Sequence, residues 1–185
     1  MSSHVLTGVV RLSYVNLNEP KSINGGDPRY SASVLIPKSD TKTLERIKAA
    51  IQTAYDEGQG KLRGSGKVVP PLASLKLPLR DGDAERPDDE AYQGHFFVNA
   101  TNKDRPDVVD INRVEIIDTS ALYSGIYSRV HLGFYAFNAN GNRGIAVALN
   151  SVQKVKDGAS LGGRVKAIDV FNDGFNYEDD EDFLC

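Results

Sequence analysis

Hydrophobic and polar residues alternate loosely in two runs near the start of the chain, HVLTGVVRLSYV (4–15) and RYSASVLIP (29–37). Both runs are rich in Val, Leu, Tyr and Ser, so each is predicted to be a strand. One face of the first strand is predicted to carry Leu6, Gly8, Val10, Leu12 and Tyr14. The segment between the runs contains two adjacent glycines and two prolines, which predict a loop.

A different period follows in SDTKTLERIKAAIQTAYDEG (39–58), which predicts one amphipathic helix. Its apolar residues recur at spacings of three and four, and they are Leu44, Ile47, Ile51, Ala54 and Tyr55. Ser39 or Asp40 is the expected cap, and Gly58 is the expected end of the helix. Between 58 and 94 the periodicity disappears, so we expect a long excursion with one short strand, of a kind that is often functional or mobile.

Strands are predicted again in the second half of the chain, at 94–101, 113–117 and 125–138. An Asn-Gly turn at 140–141 then predicts a hairpin whose second strand, 145–155, returns antiparallel to the first. About five main strands with one helix and long loops indicate a mainly-β fold, a small five-stranded antiparallel barrel. An ordinary globular composition, 40% hydrophobic and 25% charged over 185 residues, favours one domain.

The strand near the hairpin has two unlike faces. One face is expected to be core and carries Ile126, Ser128, Val130, Leu132, Phe134 and Ala136. The other face carries Tyr127, Arg129, His131, Gly133, Tyr135 and Phe137. Rings beside a cation suit single-stranded nucleic acid, because bases stack on rings at roughly 1–3 kcal/mol each while Arg follows the phosphates. The alternative is that these rings pair only with their cross-strand neighbours; three rings with Arg129 on one face favour binding.

Further basic residues are candidates for phosphate contacts, and they are Lys61, Arg63, Lys67, Lys103, Arg105, Arg113 and Arg143. The first three lie in GQGKLRGSGK, which is not a nucleotide-binding P-loop. The spacing from Gly60 to Lys67 is one residue too long, and Val68 replaces the Ser or Thr that binds magnesium. We expect either a basic loop that closes over a bound strand or an inert mobile loop.

The net charge of −3 is unevenly distributed. Residues 169–185 hold seven acids and no Lys or Arg, which leaves 18 of the 25 acids against all 22 bases in residues 1–168. The body is therefore net positive, which predicts an anionic partner. The acidic end either competes with that partner, recruits another one or only aids solubility.

Metal-dependent phosphodiester cleavage is an alternative function, because Asp81, Asp83, Asp88, Asp89 and Glu90 are candidate Mg²⁺ ligands. They lie in one short, turn-rich segment, whereas such a site needs carboxylates from different rigid elements. The three histidines are scattered, and Cys185 is the single cysteine, so we expect no metal, cofactor or nucleophilic catalysis. No apolar run approaches the roughly 18 residues that span a bilayer, so we expect a soluble intracellular protein without a membrane partner.

Several segments together resemble a family of phage-encoded single-stranded-DNA-binding proteins. They are LPLRDGD (77–83), GHFFVNAT (94–101), RPDVVD (105–110), YSGIYSRVHLGFYAF (123–137), GNRGIAVALNSVQKVKDG (141–158) and the acidic end with its aromatic residue. The resemblance implies an OB-fold domain over 1–168 and a flexible acidic tail over 169–185. It implies a non-enzymatic protein that coats single-stranded DNA during phage replication and recombination in the cytoplasm of the bacterial host.

The resemblance also implies that the tail docks onto phage or host replication proteins and lies in the DNA groove when DNA is absent. The corresponding residues here are Glu178, Asp179, Asp180, Glu181, Asp182 and Phe183. The chain departs from the family pattern because Phe183 is followed by Leu184 and Cys185, and because it has no Trp for stacking. A homodimer is compatible with the sequence. A structural protein of the virion is a further alternative to the DNA-binding function.

Overall fold

The computed structural model describes residues 2–22 and 25–161. The strands are β1 (His4–Leu6), β2 (Val10–Lys21), β3 (Arg29–Pro37), β4 (Arg80–Asp81), β5 (His95–Asn102), β6 (Asp107–Val109), β7 (Tyr127–Ala139) and β8 (Asn142–Lys156). The α-helices are α1 (Thr41–Glu57), α2 (Gln59–Arg63) and α3 (Gly82–Glu85). Single turns of 3₁₀ helix lie at Leu72–Ser74, Glu90–Tyr92 and Thr119–Ala121.

Five strands form a ring in the order β2, β3, β5, β8, β7 and back to β2. The ring has two short seams. One is the junction of β2 with β7, and the other is the junction of β5 with β8, where Thr101 lies opposite Ala148. The strands β5 and β8 run parallel, so the expectation of an entirely antiparallel barrel is wrong at this seam. The mainly-β, OB-fold-like prediction is confirmed, since this fold is a partly open five-stranded barrel.

The core fills the ring and is closed on one side by α1. Side chains with almost no exposure include Leu12, Val34, Ile36, Ile47, Val98, Val130, Leu132 and Leu149. The predicted amphipathic helix is confirmed, because its apolar stripe packs into this core. Its cap is Asp40, whose carboxylate accepts hydrogen bonds from the Thr43 amide at 3.2 Å and from the Thr43 hydroxyl at 2.7 Å.

The prediction of a single helix is incomplete. The excursion between α1 and β5 contains α2, β4, α3 and two 3₁₀ turns. Helices of five and four residues are too short to leave a 3.6-residue period in the sequence.

The first predicted strand is two strands separated by a bend, and its predicted face is wrong at both ends. Leu6 is 49% exposed and Tyr14 is 57% exposed. The bend fits against the start of α1, since the Gly8 amide donates to the Thr43 hydroxyl at 3.0 Å. A Cβ at Gly8 would lie 2.7 Å from an oxygen of Asp40, so a side chain there would disturb the cap.

The strand predicted at 113–117 is also wrong. This segment follows a turn in which the Asp110 carboxylate accepts from the amides of Asn112 at 2.8 Å and Val114 at 3.0 Å. Arg113 has a φ of +64°, which is incompatible with a strand. The strand in this region is β6, which lies upstream and pairs with β8 in parallel.

Candidate nucleic-acid interface

The predicted alternation of β7 is present in the structure. Ser128, Val130, Leu132, Phe134 and Ala136 are buried. The opposite face is partly exposed at Tyr127, Arg129, His131 and Phe137, and Tyr135 is 40% exposed. These predicted site residues therefore share one outer face of the barrel, which we call the β7 face.

Two members of the β7 face are engaged by the N-terminal segment. The guanidinium Nε of Arg129 donates to the carbonyl oxygen of Thr7 at 3.1 Å. The ring of His131 stacks on His4, with 5.4 Å between the ring centroids. Both contacts hold β1 and the bend after it against β7, so these side chains have a structural role.

The ring of Tyr127 is also occupied. The guanidinium carbon of Arg11 lies 5.3 Å from the ring centroid, and the ammonium nitrogen of Lys156 lies 4.9 Å from it. Such cation–π contacts leave less of the ring free for a base. Among the rings of the β7 face, Tyr135 is the most exposed.

Two of the residues predicted to contact phosphates, Lys61 and Arg143, come together at the tip of the β7–β8 hairpin. The Asn138 side chain donates to the carbonyl oxygen of Lys61 at 3.0 Å, which joins α2 to the hairpin. A Cβ at Gly64 would lie 2.8 Å from the Asn138 amide nitrogen and 3.7 Å from a guanidinium nitrogen of Arg143. Lys76 is close too, because its amide donates to the Arg143 carbonyl oxygen at 3.2 Å. We call this region the basic hairpin end.

The segments that meet at the basic hairpin end contain no acid. Residues 58–80 and 119–156 hold no Asp or Glu. Their cations are Lys61, Arg63, Lys67, Lys76, Arg80, Arg129, Arg143, Lys154 and Lys156. In contrast, the predicted contacts Lys103, Arg105 and Arg113 lie in the connection from β5 to β7, where 103–110 holds three acids beside two bases. Basic residues are therefore concentrated in the acid-free segments, although Glu57 lines a pocket with Tyr135 and Ala136, and Lys154 is paired with Asp157 at 2.6 Å.

A second candidate surface, which the sequence interpretation missed, is a groove of about 480 Å³ on the outer face of β2, β3 and β5. Its lining consists of Tyr14, Asn16, Lys21, Ser22, Ser31, Ala32, Ser33, Arg86, Asn99, Ala100 and Thr101. Strand pairing places Asn16 opposite Ser31 and Ser31 opposite Thr101, so small polar side chains form a row across its floor. We call this surface the groove.

One edge of the groove is formed by Arg86 and two tyrosines. The guanidinium carbon of Arg86 lies 5.3 Å from the ring centroid of Tyr14 and 5.2 Å from that of Tyr92. The same guanidinium donates to the Tyr14 hydroxyl at 3.2 Å, and this bond raises the pKa of Arg86 above its ordinary value. Tyr92 is fully buried, and its hydroxyl donates to Ser33 at 2.9 Å. Burial raises the pKa of Tyr92, so its ring is neutral at physiological pH.

The segment that carries Arg86 is fastened to the sheet. The strand β4 pairs with β5, and the Lys38 ammonium lies 2.8 Å from Asp81 and 2.7 Å from Asp83. Asp83 also accepts from the Gly94 amide at 3.1 Å. The hydrogen bonds from Lys38 lower the pKa of both carboxyls. These contacts place Arg86 beside the groove.

The same contacts give the nuclease alternative no support. Asp81 and Asp83 are paired with a lysine, and each also accepts a hydrogen bond from a backbone amide. Within residues 2–22 and 25–161, no three His, Cys, Asp or Glu side chains are grouped so that they could hold a metal ion. Over the same residues, no helix is long and apolar enough to cross a membrane.

The groove escaped the sequence interpretation for two reasons. Alternation predicts Tyr14 on the same face as Val10 and Leu12, but its φ of +47° and the register shift between Ser13 and Asn16 turn it outward. Arg86 lies in an acidic stretch without periodicity, and only the pairing of β4 with β5 brings it to the groove. The predicted tail residues Glu178, Asp179, Asp180, Glu181, Asp182 and Phe183 lie outside the described residues, so the tail and its boundary at 168 stay predictions.

Comparison with known structures agrees with the observed fold. Over 86% of this chain, and 90% of the other, the structure is similar to the single-stranded-DNA-binding protein from bacteriophage Enc34 in complex with ssDNA, at 27% identity and a TM-score of 0.73. It is also similar to gp2.5, a single-stranded-DNA-binding protein encoded by bacteriophage T7, with a TM-score of 0.60 over 88% of this chain and 97% of that one. The identity there is 16%, so this second likeness concerns the fold alone.

Sequence comparison extends the match to almost the whole chain. A relative called putative protein p50, from Acyrthosiphon pisum secondary endosymbiont phage 1, is 35% identical over 177 residues, which is 93% of this chain and 94% of the relative. The family model described as Enterobacter phage Enc34, ssDNA-binding protein, matches residues 3–184. These matches confirm the resemblance drawn from the sequence. The chain belongs to the family of the Enterobacter phage Enc34 ssDNA-binding protein.

Proposed function

We propose that this protein binds single-stranded DNA without sequence specificity, with the strand in the groove and with its phosphates reaching the basic hairpin end. The observation that carries the proposal is a groove with an exposed tyrosine on a barrel whose β7–β8 hairpin is free of acids. In OB-folds this sheet face and the two loops beside it, here those joining β2 to β3 and β7 to β8, bind oligonucleotides. The Enc34 relative in complex with ssDNA supports the same ligand class.

The basic residues divide into two groups under this proposal. Lys61, Arg63, Lys67 and Arg143 contact phosphates, because they lie in the acid-free segments. Lys103, Arg105 and Arg113 contribute less, since acids surround them. On the β7 face, Tyr135 is the ring that is exposed enough to stack on a base, so it marks where a longer strand would continue.

The wider role follows from the family. The protein is proposed to coat DNA in the host cytoplasm during phage replication and recombination, without catalysing a reaction. The tail, 169–185, would compete with DNA for the positive surface and recruit replication proteins of the phage or host. Truncation after Asn176 is then expected to tighten DNA binding, and unchanged affinity would leave the tail only a docking or solubility role.

Fluorescence anisotropy with labelled oligo-dT tests the proposal. Affinity is expected to fall linearly on a log–log plot against salt, with a slope of about −0.7 for each phosphate that is neutralised. Incubation of labelled DNA with Mg²⁺ serves as the control for the nuclease alternative and is expected to leave the DNA intact. Absence of binding even at low salt would contradict the proposal and would favour a structural role.

A further inference from the structure

We infer that Arg86 positions Tyr14 as a stacking platform, and that the ligand of the exposed Tyr14 ring is a nucleobase. This inference rests on the proposed function and deepens it by naming the residue pair that holds the base. The feature consists of three side chains, Tyr92, Arg86 and Tyr14, which we call the Arg86 stack.

The Arg86 stack has a rigid base and an exposed end. Tyr92 is fully buried and makes an edge contact with Phe97, with 4.9 Å between the ring centroids at an angle of 89°. Arg86 lies against Tyr92 and against Tyr14 at nearly equal distances. Tyr14 is 57% exposed and lines the groove, and Arg86 reaches it at the hydroxyl end of the ring.

The backbone of Tyr14 is held in an uncommon conformation. A φ of +47° is sparsely populated by bulky residues, and such positions persist only where the surroundings fix them. Here the fixing contacts are a hydrogen bond from the Asn16 side chain to the Tyr14 carbonyl oxygen at 3.1 Å and the contacts with Arg86. Conformations of this kind cluster at ligand clamps, which suits a ring that must be in place before the base arrives.

Arg86 is not ion-paired with a carboxylate among the described residues, although the charge of Asp89 acts on it and helps to raise its pKa. Its neighbours in sequence include Glu85, Asp88 and Asp89, yet among the described residues none of the ion pairs within 4.0 Å involves Arg86. Glu85 instead approaches Arg80 at 4.0 Å. Six acids lie within 81–90, so the attraction of Arg86 for a phosphate next to the stacked base rests on direct contact beside the ring and not on the net charge of its segment.

The floor of the groove suits the remaining parts of a nucleotide. Ser31, Asn99 and Thr101 offer uncharged donors and acceptors beside Tyr14. Asn16 offers its side-chain oxygen, because its amide nitrogen already donates to the Tyr14 carbonyl oxygen at 3.1 Å and to the Ser31 hydroxyl at 3.2 Å. Uncharged polar groups accept hydrogen bonds from any base edge or sugar without demanding one sequence, while the ring supplies stacking that every base shares. The arrangement thus fits a nucleobase with its sugar and phosphate.

The test compares variants by anisotropy with an oligo-dT of about 16 nucleotides and with an abasic strand of the same length. Tyr14→Asn removes the ring, and Asn tolerates a positive φ. We expect it to weaken oligo-dT binding by about 5- to 100-fold, and to leave binding of the abasic strand unchanged. Tyr14→Phe keeps the ring and is expected to stay within about threefold of the wild-type affinity. Arg86→Met is expected to weaken binding and to reduce the salt slope by about 0.7, a readout that a purely structural role would not change.

Nitration of wild-type tyrosines, with and without oligo-dT, provides a test that does not depend on how a variant folds. DNA is expected to protect Tyr14. Wild-type affinity in Tyr14→Asn, or nitration of Tyr14 that DNA does not reduce, would overturn the inference while the wild-type protein still binds. Failure of the wild-type protein to bind oligo-dT would instead overturn the proposed function.

Discussion

The two outer faces of the barrel each carry an exposed tyrosine, but the surroundings of these tyrosines differ. On the β7 face the neighbouring rings and cations are already paired with β1, with the bend after it and with β2, through the contacts of His131 with His4, of Arg129 with Thr7 and of Tyr127 with Arg11. In the groove, Tyr14 is backed by Arg86 and opens onto a polar floor. We infer from this difference that a count of rings on a strand is not enough to identify a binding surface. What matters is whether the rings remain available after the sheet has formed.

The largest expected effect is on the basic hairpin end. The double change Lys61→Glu with Arg143→Glu should weaken oligo-dT binding by about 100-fold at moderate salt, because two attractive contacts with phosphate become repulsive. The matched control is Lys103→Glu with Arg105→Glu, which makes the same change of charge among acids and should cost less than about threefold. Anisotropy titrations would measure both, and equal losses would contradict the division of the basic residues.

The next largest expected effect is the loss of oligo-dT affinity at Tyr14, compared with the loss at Tyr135. Tyr14→Asn should weaken binding of oligo-dT by about 5- to 100-fold, whereas Tyr135→Thr, on the β7 face, should cost less than about threefold. Thr is a good strand residue, so the second variant keeps the geometry of β7. The reverse order of losses would move the site to the β7 face.

A smaller effect should separate stability from binding. Arg129→Met removes the hydrogen bond to the Thr7 carbonyl oxygen and should lower the free energy of unfolding by about 1–3 kcal/mol. Denaturant titration measures this loss. Binding of oligo-dT should stay within about threefold of wild type, because Arg129 is already committed to the N-terminal segment. A loss of affinity without a loss of stability would assign Arg129 to DNA contact instead.

The smallest effect concerns the ion pairs that fasten the Arg86 segment. In the folded state Lys38 lowers the pKa of Asp81 and Asp83, and its own pKa is raised by them. The carboxyls therefore contribute stability above their unfolded pKa of about 3.9, which is lost as pH falls through the folded values. Lys38 contributes stability below its unfolded pKa of about 10.4, which is lost as pH rises through its folded value.

The change Lys38→Met should accordingly lower the melting temperature slightly between about pH 4 and pH 10 and make it less dependent on pH near the acid end. The exposed Lys48→Met on α1 is the control, and it should change neither quantity appreciably. Identical acid profiles for wild type and Lys38→Met would show that the ion pairs do not form.

Elements that are set by local patterns could be predicted from the sequence. The stripe of α1 with its cap at Asp40, and the alternation of β7, are both set by neighbours within a few residues. Surfaces whose residues are brought together by pairing between distant segments could not be predicted. The groove needs β2, β3 and β5 side by side, the outward turn of Tyr14, and a segment about 70 residues away that brings Arg86 to it. Neither the φ of Tyr14 nor the pairing of β4 with β5 is visible in a hydrophobic pattern.

The most direct test of the central claim is photo-crosslinking of the wild-type protein to an oligonucleotide that carries 5-iododeoxyuridine, followed by peptide mapping of the adducts. Adducts are expected in the groove, with Tyr14 as the principal site, because its ring is exposed and lines the groove. Adducts confined to the β7 face, at Tyr127, Tyr135 or Phe137, would contradict this claim.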